Sequence, residues 1–201
     1  MNDNTMSTKV MVFARLSYSS IWNPRGFDGQ EEKYSASLIL PKDYDTLKEW
    51  INNDVYAEKF KKQNDSIKKA IENAKKLNAD KFGGKIPAPS NLKTPLRDGD
   101  TDREDDGNYN NCYFINASSK KKPQIVDIYK KPITNEDDVY SGCYILATIN
   151  FYAYNVSGNK GIAAGLNNIL KWADGEYLGG NVNAESDFAD IEVDGALDFI
   201  N

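Results

Sequence analysis

Asp98, Asp100 and Asp102 stand at alternate positions in this 201-residue chain, a spacing that could gather three carboxylates around a pair of metal ions for phosphodiester cleavage. The same run invites a calcium-loop reading, which fails in each frame. Counting from Asp102 places Glu104, Asp106 and Gly107 suitably but puts Tyr113 where the bidentate glutamate belongs, and counting from Asp98 puts Arg103 where the loop needs glycine. The chain has no histidine, which removes the commonest general base, the Ser-His and Cys-His nucleophile pairs and the commonest zinc ligand. Cys112 and Cys143 lie outside any CxxC spacing and read as reduced, buried thiols. Glycines 158, 161 and 165, in GNKGIAAG, match neither phosphate-loop spacing; a β-turn and a close-packed helix account for them. A metal-dependent nuclease on the three aspartates is therefore the enzyme-class alternative, and no cofactor is expected.

Stacking is the other chemistry on offer. The chain holds twelve tyrosines and three tryptophans, and cations sit beside aromatics at Arg15/Tyr18, Trp22/Arg25, Lys33/Tyr34 and Tyr129/Lys130/Lys131. An aromatic surface grips any base through its π-face at ~1–3 kcal/mol per base, while the cations track the phosphates. Tyr144, Tyr152 and Tyr154 fall together on one side of the segment CYILATINFYAY (143–154), with Leu146, Thr148 and Asn150 between them. Tyrosines so placed either carry bases or cover a neighbouring loop or helix.

These groups need strands to hold them. Val10, Val12, Ala14, Leu16 and Tyr18 alternate with Met11, Phe13, Arg15 and Ser17, the period of two of a sheet strand. A turn-rich interval with Pro24, Gly26 and Gly29 leads to a second strand, Lys33 to Leu40, ended by Pro41. Residues 43–81 predict two helices, the first capped by Asp43 or Asp45, the second by Asn53 or Asp54 and carrying the stripe Phe60, Ile67, Ile71, Ala74, Leu77. Lysine pairs at 61–62, 68–69 and 75–76 recur every seven residues along the opposite side and read as a solvated face. Residues 82–111 form a Gly, Pro and Asp-rich connection, of a length usual for functional or disordered loops. Strands resume at 112–117 and 123–129, joined by the basic turn Ser118–Lys122. The segment 143–154 has a nearly wholly apolar second face (Cys143, Ile145, Ala147, Ile149, Phe151, Ala153), and a short helix is predicted over Ile162–Trp172. About five strands with a helical insertion after the second make a mainly β (α+β) fold. An antiparallel, OB-like open barrel fits this better than a doubly wound sheet, although a β-sandwich would give much the same string.

Charge divides the chain. It counts 25 basic and 30 acidic residues, a net −5, yet residues 172–201 hold eight carboxylates and no lysine or arginine, so residues 1–171 carry 25 against 22, or +3. The expected organisation is a binding domain over 1–180, with the helical insertion at 43–81 and the long loop at 82–111, followed by an acidic tail over 181–201 expected to be disordered. Such a tail can occupy a cationic groove until a polyanion displaces it, or recruit other proteins. Neither a signal peptide nor an apolar run of bilayer length is evident, so no membrane partner and a cytoplasmic location are expected.

The segments ARLSY (14–18), KYSASLILPK (33–42), PLRDGD (95–100), YSGCY (140–144) and NFYAYNVSGNKGIAAGLNNI (150–169), in that order, resemble a bacteriophage and prophage family of single-stranded-DNA-binding proteins with an OB fold. The resemblance spans roughly residues 8–180. It implies a replication or recombination accessory that coats and protects single strands in the host cytoplasm. The tail resembles in kind the acidic C-terminal peptides with which bacterial and phage single-strand binders dock replication partners, here through Asp198, Phe199 and Ile200. The reading is thus a non-catalytic binder of single-stranded DNA. Phosphates are assigned to Arg15, Arg25, Lys33, Arg97, Lys120, Lys121, Lys122, Lys130 and Lys131, and bases to Tyr18, Trp22, Tyr34, Tyr144, Tyr152 and Tyr154. A homo-oligomer is compatible with this, and a strand-annealing protein acting through oligomers is the interaction-class alternative.

Overall fold

A computed structural model describes residues 6–26, 29 and 31–178. In chain order it runs β1 (Lys9–Arg25), β2 (Lys33–Pro41), α1 (Tyr44–Ile51), α2 (Asp54–Phe60), α3 (Gln63–Leu77), β3 (Leu96–Asp98), α4 (Gly99–Asp102), β4 (Cys112–Ser119), β5 (Gln124–Val126), β6 (Tyr144–Val156) and β7 (Asn159–Ala173). The strands follow the order β3-β4-β2-β1-β6-β7-β5, and a further pairing of β4 with β7 closes β1, β2, β4, β7 and β6 into a five-stranded, OB-like barrel. The expectation of an antiparallel barrel needs one correction. A ring with an odd number of strands cannot alternate direction throughout, and the seam falls at β4–β7, which run parallel through Ala117↔Ala164 and Ser118↔Gly165.

Strand alternation builds the interior. Val12, Ala14 and Leu16 of β1, Ala36, Leu38 and Leu40 of β2, and Ile145 to Ala153 at every second position of β6 are all buried in one core. The β1 alternation then slips: a register shift between Ser17 and Ser20 turns Ile21 inward, and the strand runs on through Pro24 to Arg25 where a turn is expected. Ile67, Ala70, Ile71 and Ala74 of α3 pack into the same core. At the start of that helix the Gln63 amide accepts from the Phe13 N–H (2.9 Å) and donates to its C=O (3.2 Å), supplying the neighbour that β1 lacks before β2 joins it at Arg15.

The helical insertion contains three helices instead of the expected two. Asp43 caps α1 and Asn53 caps α2, but the chain breaks at Lys61–Lys62 because α2 and α3 serve different cores. Ala57 and Phe60 join Leu47, Ile51 and Phe13 in a cluster outside the barrel, flanked by Trp50, Tyr144 and Trp172. Leu77, expected in the stripe, is half exposed.

The helix predicted over Ile162–Trp172 is instead the strand β7. Its apolar residues alternate at Ile162, Ala164 and Leu166 and then jump to Ile169, because a bulge opposite Thr148/Ile149 inserts one residue. A three-residue jump imitates helical spacing. The strand expected at 123–129 is only β5, since Asp127 turns the chain by accepting from the N–H groups of Tyr129 and Lys131 at 2.8 Å each. The 82–111 connection is not featureless: β3 pairs with β4, and residues 99–111 fold into a lobe that covers the outer side of β2 and β4 through Tyr109, against Ile39, Cys112 and Phe114. No helix among the described residues is long and apolar enough to cross a membrane.

Candidate nucleic-acid interface

Positions facing out from the barrel on β2, β4 and β7 carry small or polar side chains where they meet. Cross-strand partners run Ser20↔Ser35 (β1–β2), Ser35↔Ser118 (β2–β4), Ser118↔Gly165 (β4–β7) and Gly165↔Asn150 (β7–β6), a half-buried row transverse to all five barrel strands. In the adjacent row, Ser17↔Ser37↔Asn116, the two serines are buried, Ser37 under Tyr109, and only the Asn116 amide is exposed. A floor this low, rich in hydroxyl and amide groups, leaves room for an extended polymer and offers it hydrogen bonds.

The 99–111 lobe walls one side. Arg103 aims its guanidinium at three rings, with the carbon 5.1 Å from the Tyr18 centroid, 5.6 Å from Tyr109 and 5.9 Å from Phe114, while Arg97 covers the same Phe114 at 4.9 Å. Tyr18 sits at the β1 bulge with φ +42°, a strained value for a non-glycine residue, and is 61% exposed. Arg97 is paired with Asp102 at 3.0 Å, whereas Arg103 has no ion-pair partner among the described residues.

At the far end, the β6–β7 hairpin forms a platform. Tyr152 and Tyr154 stand opposite Ala163 and Gly161, and a Cβ on Gly161 would meet the Tyr154 ring at 2.8 Å, so the glycine is what lets the ring lie against the sheet. Asn150 lies over Gly165 in the same way. Tyr154, Asn116, Arg97 and Lys93 share a cleft of about 700 Å³. Gly161 and Gly165 of GNKGIAAG are thus seats for larger side chains, whereas Gly158 takes the hairpin turn at φ +81°.

A basic arm continues the opposite side. Arg25 pairs with Lys33 across β1–β2 and Tyr34 pairs with Ser119, which brings the turn Lys120–Lys122 beside that hairpin. Lys122 lies 5.3 Å from the Trp22 ring, whose indole N–H donates to the Val139 carbonyl, and Lys120 pairs with Glu31 at 2.7 Å.

Other expected contacts are held elsewhere. Tyr144 stacks on Phe13 (6.1 Å, 14°) and packs against Trp50 under the α1–α2 cluster. Arg15 is 12% exposed, donates to the carbonyls of Gly142 and Glu176, and lies 5.9 Å from the Tyr144 ring, so it straps the chain after β7 onto β1. Lys130 and Lys131 sit on the exposed turn beyond β5 beside Ile128 and Tyr129. Asp198, Phe199 and Ile200 lie outside the described residues. The three aspartates of the nuclease alternative are engaged by cations of the protein itself: Lys42 Nζ reaches Asp98 and Asp100 at 2.6 Å each, and Arg97 takes Asp102. Asp98 also caps α4. Its hydrogen bond to Lys42 holds the Asp100 carboxyl below the usual range, and although burial pulls Lys42 down, its bonds to Asp100 and Asp98 raise it overall. Among the described residues no group of three or more His, Cys, Asp or Glu side chains is arranged to hold a metal ion.

Sequence reasoning passes over Arg103, Lys93, Asn116 and the serine row. Arg103 had one available signal, since the chain has only four arginines and this one interrupts an acidic run. The serine row had none, because it exists only through the register of five strands.

The family model for the single-stranded-DNA-binding protein of Enterobacter phage Enc34 matches residues 7–199. Protein p50 of Acyrthosiphon pisum secondary endosymbiont phage 1 is 34% identical over 185 residues, covering 89% of this chain and 91% of its own. Among solved structures, the single-stranded DNA-binding protein from bacteriophage Enc34 in complex with single-stranded DNA superposes with a TM-score of 0.67 at 26% identity, over 86% of this chain and 90% of that one. Gp2.5, the single-stranded DNA-binding protein of bacteriophage T7, shares the fold at a TM-score of 0.52 and 12% identity, over 94% and 97% of the two chains. With a continuous match from the first strand into the acidic tail, this chain belongs to the Enc34 family of phage single-stranded-DNA-binding proteins, which are binders and not enzymes.

Proposed function

We propose that this protein binds single-stranded DNA along the trough over β2 and β4. The observation that carries the reading is the transverse row Ser20–Ser35–Ser118–Gly165–Asn150, bounded by the Arg97/Arg103/Tyr18 wall on one side and the Arg25/Lys33/Lys120–Lys122 arm on the other. Phosphates meet Arg97, Arg103, Lys93 and the arm, and bases stack on Tyr18, Tyr152 and Tyr154, with Tyr34 and Trp22 serving the arm. OB barrels commonly use this face for oligonucleotides. Lys130 and Lys131 extend the cationic surface, while Arg15 and Tyr144 support the frame. The setting is the host cytoplasm, in phage replication or recombination, where the protein coats and protects single strands. The tail tip Asp198-Phe199-Ile200 recruits replication proteins, and homo-oligomers form along the strand.

The deciding experiment titrates labelled oligo-dT, oligo-U and duplex DNA at two salt concentrations. Single strand should be preferred to duplex, with affinity falling steeply as salt rises because bound phosphates release counterions. No binding to oligo-dT, or binding indifferent to salt, overturns the reading.

A further inference from the structure

We infer that Lys42, which does not face the trough, is a positioning residue for single-strand binding and acts through Arg103. The inference rests on the trough reading above. Lys42 fastens both ends of the 99–111 lobe to the end of β2. Its ammonium holds Asp98 and Asp100 at the entry, at 2.6 Å each, and its backbone N–H donates to the Asn111 carbonyl at the exit (3.0 Å). Asp100 joins the two ends directly by accepting from the Asn111 N–H at 2.7 Å. The neck is also sterically closed: a Cβ on Gly99 would lie 2.2 Å from the Tyr109 carbonyl oxygen and 2.8 Å from that of Cys112.

Everything that places Arg103 hangs from this neck. Its N–H, capping the end of α4, donates to the Gly99 carbonyl in that helix's first position, and its guanidinium spans Tyr18 on β1 and Phe114 on β4, rings belonging to the barrel. The lobe contributes Tyr109, whose hydroxyl donates to Ser37 beneath it. A lobe released at its neck keeps these side chains but loses their orientation, and a stacked cation loses its value with small displacements. The Lys42 charge is itself spent on two carboxylates, so its contribution to binding is geometric.

The test is a double-mutant cycle on oligo-dT affinity with the full-length chain, using Lys42→Met, Arg103→Gln and the pair, with Lys42→Arg as the conservative variant and melting temperature recorded for each. Arg103→Gln should weaken binding roughly tenfold and lower the salt slope by about one. Lys42→Met should give a similar loss in the wild-type background and almost none in the Arg103→Gln background, and Lys42→Arg should restore binding. Asp100→Asn, which removes one carboxylate without changing the shape of the neck, should reproduce the coupling if Lys42→Met proves unstable. An equal Lys42→Met loss in both backgrounds, or none in either, overturns the inference. Unchanged affinity in Arg103→Gln instead removes Arg103 from the trough reading itself, and this inference with it.

Discussion

Tyr144 and Tyr154 share one face of β6 ten residues apart, and their surroundings give them opposite work. Tyr144 is clasped between Phe13 and Trp50, while Tyr154 lies against Gly161 beside Lys93 and Arg97. Tyr154→Ala is expected to weaken oligo-dT binding by ~1–3 kcal/mol with little change in melting temperature. Tyr144→Ala should do the reverse, lowering stability by about 2–4 kcal/mol and leaving affinity nearly intact. Calorimetric titration and thermal melting of both variants separate the two, and loss of stability with intact binding in Tyr154→Ala would make it a structural ring. The thiols offer a second check at this scale. Burial pushes the Cys112 thiol up to about 11, with the charges of Asp100 and Asp43 adding to it, and burial raises Cys143 as well. Neither should react with a thiol reagent in the native protein at about pH 8, and both should on unfolding. Rapid labelling of the native chain would contradict the packing at the ends of β4 and β6.

At the level of elements, a strand is legible where its alternation is unbroken, as in β6, whose inward face is buried throughout from Ile145 to Ala153. Legibility fails where a bulge resets the period: Leu166 to Ile169 in β7 imitates a helix, and the shift between Ser17 and Ser20 hides how far β1 extends. The lobe was beyond reach for another reason. Its aspartates look like metal ligands until Lys42, more than fifty residues earlier, comes within 2.6 Å. Part of the arm is legible, because Arg25 and Lys33 meet through the β1–β2 hairpin, whereas Lys120–Lys122 come beside Tyr34 only through the long-range pairing of β2 with β4. The latch also predicts a pH response. Asp100 is depressed by its bond to Lys42, so its contribution is present above the ordinary carboxylate value of about 3.9 and disappears as pH falls through the lower folded value. Lys42 is raised, so its share is complete below about 10.4 and lost only as pH climbs past the higher folded value. The amide resonances of Asn111 and Arg103 should hold steady between these limits and shift together on acidification. Independent movement of the two would mean that Asp100 does not fasten the lobe.

For the whole molecule, charge and chain path bear on one another. After β7 the chain is strapped back across the barrel: Arg15 holds the Glu176 carbonyl, the Tyr140 hydroxyl donates to Gly175, and the Leu178 N–H donates to Ser141. Gly142 makes this passage possible, with φ +125° and no room for a Cβ, which would lie 2.0 Å from the Glu176 oxygen. Leu178 packs on the cluster of Ile39, Tyr109, Cys112 and Phe114, two of whose rings Arg97 and Arg103 cover. The acidic segment beyond lies outside the described residues, yet it follows within a few residues of Leu178 and so begins near Arg97 and Arg103, and a short tether keeps an appended charge at high effective concentration. On our proposal the six carboxylates of the tail, Glu185, Asp187, Asp190, Glu192, Asp194 and Asp198, compete with DNA phosphates for the same cations. Truncation after Gly180 should therefore raise affinity for oligo-dT, most at low salt, and the gain should shrink toward nothing as the Debye length falls below about 8 Å. Replacing the six acids by their amides should reproduce the gain without shortening the chain, and a variant lacking only Phe199 and Ile200 should not, because those side chains carry no charge. Unchanged low-salt affinity on truncation would leave the tail with recruitment alone, read by loss of replication-protein capture when Phe199 and Ile200 are removed.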